Sequence, residues 1–134
     1  MAAVSPCENL IPQSDVAELY AKGYAPREGD GSSHELERIF VENGGLDCVW
    51  IHPNGMDGFP YYAYSKISPE QTQHVQTLLL EQEQVRKDDK DGFVVFGNEY
   101  GGPGVYLFGE GVWIAAYNLE EAFLVVDAVL RNRH

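Results

Sequence analysis

Cys48 and His52 are the pair in this chain whose types could furnish a thiolate nucleophile and its base. The stretch that holds them, LDCVWIHP at residues 46–53, is rich in Val, Trp and Ile and stops at a Pro-Asn-Gly turn. It therefore reads as a strand. Residues four apart on a strand share a face but lie roughly 13 Å apart, too far for a direct hydrogen bond. Cys48 then reads as a small core residue. The four histidines, His34, His52, His74 and His134, form neither HxH nor HExxH, so no metal site is expected. DKDG at 89–92 suggests calcium, yet an EF-type loop would put Lys87 at its first position and Asn98 at its twelfth, where a bidentate Glu is needed. GNEYGGPG at 97–104 has the glycines of a phosphate loop but not its lysine or spacing. It also leads into a strand instead of a helix N-terminus, so no dipole waits for an anion. Among 21 Asp and Glu no pair stands out for acid–base work. The expectation is a protein with no catalytic residue, no cofactor and no metal.

The bulk numbers point the same way. At 134 residues, 44% hydrophobic and 12% aromatic, the chain can build one domain with its own core. Residues 1–12 read as a poorly ordered lead-in. The formal net charge is −12, with 9 Lys and Arg against 21 Asp and Glu. Such a surface repels nucleic acid and anionic membranes, and attracts basic partners. No apolar run reaches the ~20 residues of a membrane-spanning helix. MAAVSPCENLIPQ lacks the basic region and apolar core of a signal peptide. A cytoplasmic protein is therefore expected. In a reducing cytosol Cys7 and Cys48 are expected to be free, inert thiols, with a single disulfide as the alternative.

The elements follow from pattern and punctuation. SDVAELYAK (14–22) predicts a helix capped by Ser14 and ended by Gly23; residues 25–32 predict a polar loop. SHELERIFVENGG predicts a second helix, with Ser32 and Glu35 as a capping box, a stripe of Leu36, Ile39 and Phe40, and a stop at Asn43-Gly44-Gly45. Strands 46–53 and 59–67 form a hairpin, and Pro60 places the second at an edge. Ser68-Pro69-Glu70-Gln71 opens a long helix to about Arg86, with Val75, Leu78, Leu79, Gln82 and Val85 inward. KDDKDG is a charged turn. FVVF (93–96), VYLF (105–108) and VWIAAY (112–117) form a glycine-punctuated meander, and they alternate so little that helices must cover the sheet. Asn118 caps a last helix with Ala122, Phe123, Val126 and Val129 inward, and Arg131 and Arg133 at its negative end. The fold class is α+β: one mixed or mainly antiparallel sheet flanked by helices, in the order α-α-β-β-α-β-β-β-α.

Three stretches in this order resemble the SUKH superfamily, the Smi/Knr-like fold found among bacterial immunity proteins. They are Asn43-Gly44-Gly45 closing a helix, Phe96-Gly97-Asn98 with Gly101-Gly102 after a strand, and Asn118-Leu119-Glu120-Glu121-Ala122-Phe123-Leu124 opening the last helix. The likeness runs over residues 30–130. It departs before the second helix, where GSS stands in place of the usual Leu-Pro pair. The resemblance implies a non-enzymatic, cytosolic protein that binds a toxin domain and occludes its active site.

An acidic chain suits a basic toxin cleft. The expected contact residues are Asp57 in NGMDG, Asp88, Asp89 and Asp91 in KDDKDG, and Glu99 and Tyr100 in GNEYGG. Two other classes compete. One is a phage-type anti-defence protein or acidic DNA mimic, which wants carboxylates in regular rows. The other is a small ligand-binding or enzyme domain with a pocket beside the sheet.

Overall fold

The computed structural model describes residues 6–29, 35–54, 60–98 and 104–131. A seven-stranded sheet runs through them in the order β1-β2-β3-β7-β6-β5-β4. The strands are β1 (Ala25–Glu28), β2 (Leu46–Ile51), β3 (Tyr61–Lys66), β4 (Gln84–Lys90), β5 (Phe93–Asn98), β6 (Val105–Gly109) and β7 (Val112–Ala116). Every neighbouring pair is antiparallel. The helices are α1 (Gln13–Ala21), α2 (Glu35–Glu42), α3 (Pro69–Glu81) and α4 (Leu119–Val129). The fold is α+β, a single antiparallel sheet with helices on both faces. No described helix is long and apolar enough to cross a membrane.

The sheet is a sandwich filling because its middle strands are apolar on both sides. All five residues of β7 are buried. On one face Val112, Ile114 and Ala116 join Cys48, Trp50, Tyr62, Val95 and Leu107 beneath α1 and α4. On the other, Trp113 and Ala115 join Ala63, Phe96 and Phe108 beneath α2 and α3. Trp113 stacks on Phe40 of α2 with ring centroids 3.6 Å apart, and its Nε1 donates to Ser65 Oγ at 2.7 Å. A buried indole N–H without such an acceptor would cost stability.

The meander β5-β6-β7 stands as the glycine pattern predicts. Glu110 and Gly111 both have positive φ, 53° and 78°, which matches the twist that a two-residue hairpin needs. Gly45, past the end of α2, meets a different demand. A Cβ placed there would lie 2.0 Å from the Tyr64 carbonyl oxygen and 2.3 Å from Ser65 Cβ, so only glycine lets the chain pass so close to β3.

Elsewhere the structure corrects the pattern. The long helix stops at Glu81, not near Arg86, because Glu83 takes φ 66° and breaks the helical run. Gln82 and Val85 therefore lie beyond the helix, and the stretch containing KDDK is strand β4. Residues 25–28 form β1, not a loop. Strand β3 is internal, between β2 and β7; Pro60 sits just ahead of it, and its carbonyl accepts from Trp50 N at 2.9 Å. Helix α1 begins one residue early, after Pro12 and without a side-chain cap from Ser14. Residues 6–12 are no loose lead-in: Cys7, Leu10 and Ile11 are core. Cys7 and Cys48 are not free thiols but a disulfide, with Cα atoms 5.9 Å apart. Ser32, His34 and Arg133 lie outside the described residues.

The two sheet edges differ. Strand β1 has four residues, one of them Pro26. Strand β4 has seven, carries Arg86, Lys87, Asp88, Asp89 and Lys90, and holds an irregularity between Lys87 and Lys90. Shortness, proline, charge and a bulge are each recognised means of blunting an edge.

Candidate functional site

Of the acids expected to meet a partner, Asp88 and Asp89 are exposed on β4, and Asp91 follows in the turn with φ 51°. Asp57, Glu99 and Tyr100 lie outside the described residues. The three placed acids share their strand and turn with Arg86, Lys87 and Lys90, so the formal charge there is three minus three, or zero. Arg86 pairs with Asp89 at 2.9 Å. The exposed pair contributes little stability.

The denser acidic ground is elsewhere. Between α1 and the first turn of α4 lies a cleft of about 340 Å³. Asp15 and Glu18 line it from α1, Glu120 and Glu121 from α4, and Tyr62 from β3. One cation, Lys22, stands at its rim, paired with Glu18 at 2.8 Å. Local rules build this arrangement. Carboxylates suit helix N-termini, where unpaired N–H groups carry partial positive charge. Asp15 is in the first turn of α1, and Glu120 and Glu121 are in that of α4. Asn118 caps α4 by accepting from Glu121 N at 2.8 Å. The sheet then brings the two helix starts onto one face.

The carboxylates pay for this proximity in proton affinity. Burial, then the neighbouring Glu18 charge, raises Asp15 above its ordinary value. Burial, then Glu120, raises Glu121. The Tyr62 hydroxyl is pushed well above the usual phenol range by burial, then by Glu121 and Asp15. A cation entering the cleft would relieve all three. The sequence held the residue types but gave no sign that residues 15–18 and 120–121 meet.

A second polar group, also missed, lies on the opposite face. Glu37 of α2 and Asp47 of β2 are both buried, at 6% and 7% exposure. Their carboxylates converge beside Gly29: a Cβ there would lie 2.6 Å from Glu37 Oε2 and 3.1 Å from Asp47 Oδ1. The Tyr61 hydroxyl donates to Asp47 Oδ2. Burial, then Asp47, pushes Tyr61 and Tyr106 above the usual phenol range. Neither this group nor its members line the two concavities described here, so it reads as a pin joining α2, β2 and β3. Buried carboxylates persist where donors satisfy them.

The larger concavity, about 790 Å³, lies past Asn118 on the α4 side of the sheet. Its floor includes Val95, Gly97 and Val105, and β4 and Tyr117 form its walls. Among the described residues no group of three or more His, Cys, Asp or Glu could hold a metal. His52 accepts from Asn54 N at 3.1 Å and meets the Tyr24 ring edge-on. Cys48 is locked in the disulfide.

The chain matches no protein-family model, no curated protein and no solved structure.

Proposed function

We propose that the chain is a non-enzymatic binding module of SUKH type, a bacterial immunity protein that neutralises a basic toxin domain by occluding its active site. The observation that carries this reading is the cleft where Asp15, Glu18, Glu120 and Glu121 surround one depression. Two of these carboxylates already hold protons more tightly than usual because of burial and crowding. A lysine or arginine from a partner gains more from such a site than from a fully solvated acid. The net charge of −12 speeds encounter with a basic surface. Of the stretches that carry the family resemblance, Asn43-Gly44-Gly45 follows α2, Phe96-Gly97-Asn98 ends β5 and Asn118 opens α4, while Gly101 and Gly102 lie outside the described residues. Asp88, Asp89 and Asp91 belong to the outer rim of this reading, since neighbouring cations balance them.

The toxin would be met in the cytoplasm, whereas structural disulfides persist in oxidising compartments. The redox state of Cys7 and Cys48 in living cells therefore reports where the protein works. The test of function is protection. Cells expressing a toxin domain encoded beside this gene should survive when the chain is co-expressed. Glu18→Lys with Glu120→Lys should reduce survival and slow association at low salt. A neighbourhood without a toxin, or protection untouched by both reversals, rejects the proposal.

A further inference from the structure

The 790 Å³ groove mixes cations with carboxylates where the other cleft is mainly acidic. Its origin is the irregularity in β4. Lys87 pairs with Val95 and Lys90 with Phe93, so three steps along β4 match two along β5. In a regular strand, residues three apart point to opposite faces. The extra residue brings both lysines to the face shared by Val95 and Phe93, the face that α4 covers. Re-aiming a side chain is a recurrent use of a β-bulge. Along β5 the two positions lie about 6.6 Å apart, within reach of one multivalent anion.

Both lysines line the groove, and neither has an ion-pair partner among the described residues. The Lys87 chain lies over Gly97, with Cε 3.7 Å from the point where a Cβ would stand. Gly97 thus gives the Lys87 stem a smooth bed to lie along. Arg86, Asp88 and Asp89 also line the groove, Arg86 paired with Asp89, so the described lining sums to three positive charges against two negative, and Asp91 follows Lys90 in the turn. Acids elsewhere than this strand and its turn are largely screened beyond about 8 Å at physiological salt. The groove is far larger than an inorganic ion and falls in the range of small-molecule sites. Val95 and Val105 give it apolar surface, and the half-exposed ring of Tyr117 stands at its wall.

The geometry points to a binding site for a phosphate monoester with an apolar or aromatic body: the dianion between Lys87 and Lys90, the body beside the Lys87 stem, towards Val105 and Tyr117. Asn118 lines both this groove and the acidic cleft, but neither lysine lines the cleft, so the ester site does not rest on the partner proposed there.

Titration of the full chain with phenyl phosphate and adenosine monophosphate, followed by calorimetry and amide NMR, tests the assignment. At least one ester should bind about tenfold tighter than inorganic phosphate, with shifts centred on residues 87, 90, 97 and 117. Lys87→Gln with Lys90→Gln should weaken that binding about tenfold or more while the melting temperature holds. Gly97→Leu should push the Lys87 stem into the groove and cost the ester more than it costs inorganic phosphate. No saturable binding by about 10 mM, an ester no tighter than inorganic phosphate, or full affinity in the double-lysine variant overturns the inference.

Discussion

Breaking the Cys7–Cys48 bond should lower the stability of the folded chain by about 4 kcal/mol. The bond joins positions 41 residues apart. Closing a loop of that length removes disorder from the unfolded chain, and the logarithmic chain-entropy relation gives about 4 kcal/mol at room temperature. Little offsets this loss, because both sulfurs are fully buried and two thiols are apolar enough to remain there. Domains of this size hold about 5–15 kcal/mol in total, so the bond carries a large share. At about 3–4 °C per kcal/mol, the melting temperature should fall by about 12–16 °C. The assay is thermal unfolding by circular dichroism on air-oxidised protein, with and without a phosphine reductant, beside a thiol count in denaturant. Hydrogen exchange should rise first in residues 6–11, the segment the bond ties to β2. Two reactive thiols in the oxidised sample, or a melting temperature that reductant moves by less than about 2 °C, would refute the reasoning.

Two further outcomes are expected. Gly45→Ala should destabilise by about 3 kcal/mol or more, since its Cβ would strike the Tyr64 backbone, while Gly44→Ala, at φ 80° with open space around it, should cost only about 1 kcal/mol; urea midpoints compare them. Glu121 has a raised folded-state pKa, so its favourable contribution is present below the ordinary carboxylate range and is lost as pH rises through the raised value. Glu121→Gln, which keeps the neutral form, should therefore melt above the parent chain at about pH 7 and level with it at about pH 4; a lower melting temperature at neutral pH would contradict this.

The meander was legible because a hairpin shows its hand twice, in apolar runs of strand length and in glycines where φ turns positive. Asn118 and Ser68 were legible as caps because a side chain that accepts from a first-turn N–H does so within three residues. Strand β4 was hidden for the opposite reason. An edge strand buries little, so QVRKDDK carries no alternation, and Val75, Leu79, Gln82 and Val85 continue a helical period that the backbone abandons at Glu83. A positive φ at a glutamate leaves no mark in the sequence. The disulfide escaped because cysteine spacing does not encode proximity. It forms where a 3₁₀ turn, Pro6–Asn9, packs against β1 and β2. The acidic cleft escaped likewise: residues a hundred positions apart meet only after the sheet has ordered the helices.

Neither border of the sheet invites another strand. One border is too brief and proline-bearing to template a copy, and the other is ridged with charge and kinked out of register. Edge-to-edge pairing of two copies would have to begin on one of these two poor templates. Whatever recognises the protein must come to its broad sides, where helix starts and side chains, not open backbone, do the recognising.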